Sequence, residues 1–154
     1  MSGTTIPIRP ATEQDVQSAI RLMAQLGYPD LSLSKFVETY HSVLRHPAMT
    51  VIVCEGEDGE VIGLATISQR PQLRLTADLI TIDEFVIADN ARGRGVGRAL
   101  LDHIRVMARK AGACRLELNT NRARESYRRA FYIKNGFTEA DSAVMRIEGN
   151  SGDE

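Results

Sequence analysis

The sequence contains few of the residues that mark disulfide-rich and metal-binding proteins. It has two cysteines and no tryptophan in 154 residues, and aromatic residues make up 5% of it. Cys54 and Cys114 are far apart and form no Cys-x-x-Cys pair, which argues against a disulfide framework and against a zinc site. Both lie in apolar, strand-like runs, so we expect buried free thiols in a reducing, cytoplasmic compartment.

Long apolar runs and an excess of one charge are also absent. No segment is apolar for long enough to span a bilayer, and residues 1–10 lack the apolar centre of a signal peptide. With 19 basic and 20 acidic side chains the net charge is −1, so general affinity for nucleic acid or for a membrane surface is not expected. The length is typical of one domain, and we expect a single domain over residues 1–154.

What the sequence does contain is an alternation of strand and helix patterns. Strand patterns lie at 6–9, 49–54, 61–68, 79–87 and 114–118, with a last strand after Gly136. Helix patterns begin at Thr12, Ser34 and Val96, and a final one covers 123–135. A loop through Pro71 is expected between the third and fourth strands. This order predicts an α/β fold, in which about four helices flank a central mixed sheet whose parallel pair lies beside the third helix.

The most informative segment is Arg92-Gly93-Arg94-Gly95-Val96-Gly97, which lies between a strand pattern and a helix pattern. Glycine adopts positive φ and has no Cβ, so such a turn can direct several N–H groups at one anion. The positive end of the following helix favours the same anion, and Arg92, Arg94 and Arg98 add positive charge. The segment therefore predicts a polyphosphate site; the alternative is a glycine-rich turn that binds nothing.

Two nucleotide motifs are excluded by what this loop lacks. It has no Gly-Lys-Ser/Thr, so the lysine and the hydroxyl of a nucleotide-hydrolysing loop are missing. The dinucleotide fingerprint, read from Gly93, requires a third glycine at the position of Arg98. The polyphosphate must therefore belong to another kind of ligand.

Two strings resemble motifs of the GNAT superfamily, the acyl-CoA-dependent N-acetyltransferases. The loop is similar to the family's Arg/Gln-x-x-Gly-x-Gly/Ala, and Phe131-Tyr132-Ile133-Lys134-Asn135-Gly136-Phe137 is similar to its Phe-Tyr-x-Lys-x-Gly-Phe. The order of elements also resembles the GNAT fold, so the resemblance covers nearly the whole chain. It implies that acetyl-CoA is the cosubstrate. The residues that it assigns to the pyrophosphate are Arg92, Gly93, Arg94, Gly95, Val96, Gly97 and Arg98.

The strand before the loop has two tasks under this resemblance. A bulge is expected in it, and the backbone of Phe85, Val86 and Ile87 would pair with the pantetheine arm and polarise the thioester. An amine must lose a proton before it attacks, and Asp83 and Glu84 are the carboxylates placed to accept it, directly or through water. We prefer Glu84, but Asp83 stays open because a bulge alters the alternation of side chains.

The resemblance makes Tyr132 the general acid that protonates the departing thiolate. The alternative is a packed aromatic ring with its hydroxyl at the surface. Glu125 and Arg128 depart from the family, which often has Asn and Ala at these positions. No metal-ligand spacing is present, and no metal is expected.

Together these features imply transfer of an acetyl group to a primary amine by direct attack through a tetrahedral intermediate, since no nucleophile with a base partner is evident. A non-catalytic acyl-CoA-binding sensor or interaction module is the second hypothesis, based on the departures at Glu125 and Arg128. The acceptor is a small-molecule amine or a protein amino group. Arg70 and Arg74 suit an acidic or phosphorylated acceptor, or they are solvated loop residues. Monomer and homodimer both stay open.

Overall fold

The structure is a computed structural model that describes residues 5–149. The chain forms two compact units, which divide after Asn119. The first unit contains a β-sheet and three long helices, and the second contains two short helices. Within residues 5–149 no helix is long and apolar enough to cross a membrane.

A five-stranded mixed sheet organises the first unit, with the spatial order β1-β2-β3-β4-β5. The strands are β1 (Ile8–Pro10), β2 (Met49–Glu55), β3 (Val61–Gln72), β4 (Ala77–Ile87) and β5 (Arg115–Leu118). The first four pair antiparallel, whereas β5 runs parallel to β4. The predicted mixed sheet is confirmed, as is the parallel pair that the connection through the third helix requires.

Three amphipathic helices, α1 (Val16–Leu26), α2 (Leu33–Arg45) and α3 (Val96–Lys110), pack against this sheet. Their apolar stripes supply many of the fully buried side chains, and Leu22 and Leu101 are 0% exposed. Burial of each such side chain contributes about 1.5–3 kcal/mol. A capping box closes the 3-10 turn that leads into α1, because the Thr12 N–H donates to the Asp15 carboxylate at 2.8 Å. Helix periodicity thus places the helices that cover the sheet.

The predicted loop through Pro71 is wrong, because β3 and β4 pair as far as Gln72 and Ala77. Only a 3-10 turn at Leu73–Leu75 connects the two strands. Pairing of β2 with β3 ends at Ser68, so the far end of β3 has β4 on one side only. A proline is tolerated there because no second ladder requires its missing N–H.

The predicted last helix and last strand are both wrong. The second unit has two short helices, α4 (Glu125–Arg128) and α5 (Phe131–Lys134), separated at Ala130, whose φ is +57°. The apolar spacing continues across the break, so the pattern alone does not reveal it. Residues 137–149 form no strand. Apolar alternation is not sufficient for a strand, which also needs a neighbour for its backbone hydrogen bonds.

Both cysteines are free, but only one is buried. Burial raises the pKa of the Cys54 thiol to about 12, so this thiol is inert at neutral pH. Cys114 is exposed, contrary to the expectation, because it precedes β5 rather than lying inside it. In the described part of the chain no group of three His, Cys, Asp or Glu side chains is placed to hold a metal ion.

Candidate active site

Strand β4 carries a bulge at Asp83. Thr66 of β3 lies opposite Glu84, and the next residue, Ile67, lies opposite Ile82, so Asp83 is the extra residue. Asp83 is exposed and Glu84 is half-buried. The bulge that the family resemblance implied is therefore present, and it gives the two neighbouring carboxylates different surroundings.

Glu84 is held by Thr66 through two hydrogen bonds. The Glu84 N–H donates to Thr66 Oγ1 at 3.0 Å, and the Thr66 hydroxyl donates to the Glu84 carboxylate. Burial raises the pKa of Glu84, and the neighbouring charge of Asp83 raises it further. A carboxylate whose pKa is moved toward neutrality is a better proton acceptor at neutral pH.

Thr66 is a contact of the candidate base that the sequence did not indicate. It lies 18 positions before Glu84, in a strand pattern that carries no recognisable motif. Only the register between β3 and β4, with its shift at Asp83, brings the two together. The residues around Thr66 therefore give no signal for this contact, because register is a property of two paired strands.

Beyond the bulge, β4 pairs with β3 alone in the described part of the chain. Its pairing with β5 ends at Ile82 and Leu118, whereas β4 continues to Ile87. The Ala88 N–H donates toward β3, to Ile62 O at 2.8 Å, so alternation directs the Ile87 N–H to the opposite edge. The predicted cosubstrate-binding residues Phe85, Val86 and Ile87 lie along this edge. Such an edge can accept an extended ligand as an added strand.

The glycine loop has the backbone geometry of an anion site. Gly93 and Gly95 have φ of +77° and +79°, a conformation that side chains rarely adopt. A Cβ built at either glycine would meet no atom within 4 Å, so packing does not require glycine there and a ligand could approach. Gly95 is the N-cap of α3, and the amides of Val96, Gly97 and Arg98 occupy its first turn, where a helix has no internal acceptor.

The three arginines of this loop differ in their contacts. Arg92 lies 3.0 Å from Asp89 in an ion pair and donates to Ile87 O at 3.3 Å, so it ties the loop to the end of β4. Arg98 Nε is 4.0 Å from Asp102. Arg94 is exposed and has no ion-pair partner within residues 5–149. Arg94 is therefore the loop arginine whose charge is not already compensated.

Tyr132 lies in α5 of the second unit. Its ring makes edge contacts with Phe131 and Phe137, with centroids at 5.1 and 5.9 Å. The side chain is half-buried, and burial raises the pKa of the Tyr132 hydroxyl. The phenol therefore keeps its proton well above neutral pH, as a proton donor must.

The structure thus contains the mixed sheet, the bulged fourth strand and the glycine loop at a helix N-terminus that the family resemblance implies. The chain belongs to the acetyltransferase (GNAT) family, whose family model matches residues 14–137. The family that the two motifs resemble is thereby confirmed.

Relatives of this chain are acetyltransferases by name. It is 29% identical over 133 residues to the aminoalkylphosphonate N-acetyltransferase of Salmonella typhimurium, across 86% of this chain and 85% of the relative. It is 32% identical over 105 residues to the streptothricin acetyltransferase of Streptomyces lavendulae, across 66% of this chain and 52% of that relative. A structure from Bacillus halodurans, described as a transcriptional regulator, has a TM-score of 0.84 at 23% identity and covers 94% of this chain and 99% of its own. This last likeness shows the fold alone.

Proposed function

We propose that this protein transfers an acetyl group from acetyl-CoA to a primary amine. The observation that carries the proposal is Glu84, a half-buried carboxylate with a raised pKa, on the strand that leads directly into the glycine loop. The proposed base and the proposed anion site thus lie in one continuous segment, which runs from β4 to the start of α3. The aminoalkylphosphonate N-acetyltransferase relative supports an amine acceptor, since its name specifies an amine-bearing compound.

The glycine loop fits the pyrophosphate of acetyl-CoA. Its left-handed glycines leave open space, and the first-turn amides of α3, which have no acceptor within the helix, would donate to an anion bound there. Arg94 adds uncompensated charge, whereas Arg92 holds the loop in place. The edge of β4 at Ile87 would take the pantetheine arm, and acetyl-CoA supplies the activated acetyl thioester.

Proton transfers complete the proposed reaction. Glu84 takes a proton from the acceptor ammonium, directly or through water, and the freed amine attacks the thioester carbonyl through a tetrahedral intermediate. The C–N bond forms, the C–S bond breaks, and Tyr132 gives its proton to the departing thiolate. The nitrogen loses its second proton as it becomes the amide, and this proton returns through water to the Tyr132 phenolate, while Glu84 releases its own proton to solvent. Asp83 is the alternative base, although it is exposed where Glu84 is half-buried.

The proposal is tested by calorimetric titration of the protein with acetyl-CoA, ATP and NAD, followed by thiol release against a panel of amines. Saturable binding of acetyl-CoA and amine-dependent thiol release are the expected results. Absence of acetyl-CoA binding would contradict the proposal. Binding without thiol release from any amine would favour the sensor hypothesis instead.

Gly95→Ala is expected to weaken acetyl-CoA binding by about tenfold or more, because a left-handed alanine is strained and its Cβ occupies the space next to the anion. Gly59→Ala is a matched control, since Gly59 has a φ of +78° and open surroundings in the β2–β3 hairpin. Both variants should lose about 1–2 kcal/mol of stability. Equal acetyl-CoA affinities in the two variants, measured by calorimetry, would refute the assignment of the loop.

Thr66→Val is expected to lower kcat by about tenfold, because Glu84 loses the hydroxyl that positions it. A hydroxyl that donates to a carboxylate favours its ionised form, so the variant should raise the pKa of Glu84 and move the acid limb of kcat/KM to higher pH. Thr66→Ser retains the hydroxyl and should restore both values. A pH profile of Thr66→Val that coincides with wild type would show that Thr66 only packs.

A further inference from the structure

β3 and β4 present a row of polar side chains on one face of the sheet. Opposed residues share a face, and the opposed pairs here are Thr66 with Glu84 and Ser68 with Thr81. Thr66, Ser68 and Arg70 alternate along β3 and so lie on this same face. The polar row, as we name these five residues, therefore extends from the candidate base to an arginine.

The polar row begins where the apolar core of the same face ends. Leu64 and Val86, the opposed pair before Thr66 and Glu84 on this face, are buried in a cluster that includes Leu22 of α1. Thr66 and Glu84 are half-buried, and Arg70 is exposed. Of the five residues of the row, Arg70 is therefore the one that is open to solvent, and the candidate base lies at the end nearest the apolar core.

Arg70 is a strand residue and not the loop residue that the sequence suggested. It lies opposite Leu79 within the β3–β4 ladder, so its backbone position is set by the sheet. Its Nη1 lies 3.5 Å from Thr81 Oγ1, which turns the guanidinium along the polar row. No carboxylate within residues 5–149 forms an ion pair with Arg70.

Two acidic side chains of the neighbouring strands have other partners. Asp78 accepts a hydrogen bond from Gln69 at 2.7 Å, and Glu117, which lies beside Thr81 in β5, pairs with Arg115 at 3.2 Å. Arg70 therefore has no ion-pair partner among the carboxylates of residues 5–149. An uncompensated guanidinium beside a hydroxyl is a combination that binds planar or tetrahedral oxyanions.

The spacing within the polar row limits the size of a ligand that uses both ends. One two-residue step along the strands separates the Ser68–Thr81 pair from the Thr66–Glu84 pair, a distance of about 7 Å. A ligand whose ammonium contacts Glu84 while its anionic group contacts Arg70 and Thr81 must therefore have these two groups a short carbon chain apart.

We propose that the polar row is the acceptor site, and that it selects a primary amine bearing a phosphonate, phosphate or carboxylate group a short chain away. Arg70 and Thr81 hold the anionic group, and Glu84 receives the amine. Arg70 is thus a specificity-determining residue of the transfer reaction. The inference rests on the proposed function, because it assigns the acceptor to the site at which Glu84 acts as base.

The experiment measures binding of 2-aminoethylphosphonate, β-alanine and propylamine to the protein saturated with CoA, which cannot react. The two anionic amines are expected to bind about tenfold more tightly than propylamine. Arg70→Ala should weaken their binding by about 10- to 100-fold, the loss of charge-assisted hydrogen bonds, and leave propylamine within about twofold. Arg70→Lys should be intermediate, because lysine keeps the charge and loses the planar fork.

Arg74→Ala is the matched control, since Arg74 is an exposed arginine of the adjacent 3-10 turn and its removal changes the net charge equally. It should leave all three affinities unchanged. Equal binding of the anionic and neutral amines to wild type, or equal losses in the Arg70 and Arg74 variants, would overturn the inference. A preference for one anionic amine over the other identifies the oxyanion.

Thiol release with the same three amines and acetyl-CoA tests the proposed function separately. If the protein turns over all three amines, and neither kcat/KM nor the binding affinity favours the anionic ones, only the inference about Arg70 is overturned. Arg70-dependent binding of anionic amines without thiol release supports the anion site and contradicts the proposed transfer.

Discussion

Glu84→Gln is expected to reduce kcat of acetyl transfer by a factor of about 10² to 10⁴, the usual contribution of a general base. The amide occupies the same space and still accepts a hydrogen bond from Thr66, but it cannot take a proton. Acetyl-CoA affinity should be unchanged, because Glu84 lies outside the glycine loop. Single-turnover thiol release with saturating amine measures the loss.

The pH dependence provides a second test of Glu84. Because burial and Asp83 raise its pKa in the folded protein, wild-type activity should rise with pH through this elevated pKa, and the variant should lack that limb. The same shift affects folding. The folded state holds the proton more tightly, so stability falls as pH increases from the ordinary pKa through the raised one. Glu84→Gln should therefore match or exceed wild-type stability at neutral pH, measured by thermal unfolding.

Asp83→Asn distinguishes the two candidate bases. Asp83 is exposed at the bulge, so its loss should change kcat by no more than about threefold. Its charge raises the pKa of Glu84, and removing it should move the acid limb of the activity profile to lower pH. If Asp83→Asn abolishes turnover while Glu84→Gln retains it, the assignment must be reversed.

Tyr132→Phe is expected to reduce kcat by about 10²-fold or more while acetyl-CoA binding is retained. Phenylalanine keeps the edge contacts with Phe131 and Phe137, so the change removes only the proton donor. The raised pKa of Tyr132 means that its own ionisation should not limit the rate at neutral pH. Stopped-flow measurement of thiol release, with calorimetry for acetyl-CoA, separates the two effects.

Tyr127→Phe is the control for this substitution in the same unit. The Tyr127 hydroxyl donates to Glu139 at 3.0 Å on the surface, and its loss should not affect turnover. A protein that only senses acyl-CoA would tolerate both substitutions equally. Equal activity of the two variants would therefore remove Tyr132 from the reaction.

Motifs that depend on contiguous residues were readable from the sequence. The glycine loop, its three arginines and the Phe-Tyr string predict the family because each is a local arrangement of backbone freedom, charge and helix terminus. The mixed sheet follows for the same reason, since Asp58-Gly59 forms a hairpin and Val96 begins the crossover helix that a parallel pair requires.

The errors occur where local patterns do not determine the structure. The far end of β3 is strand because β4 pairs with it, although Pro71 suggests a loop. The helix over 123–135 is broken at Ala130 without any change in apolar spacing. Local propensity is weaker than the hydrogen bonds and packing of the folded chain, and it cannot predict either outcome.

The sequence by itself determined the family, the position of the glycine loop and the pair of carboxylates from which we propose that the base is drawn. Only the tertiary structure decided that Glu84 is half-buried and held by Thr66, and that Asp83 is exposed. It also decided that Arg70 lies on the same face of the sheet as Glu84. The physical reason is strand register. A shift of one residue moves every side chain to the opposite face, and hydrogen bonds between β3 and β4 set that register.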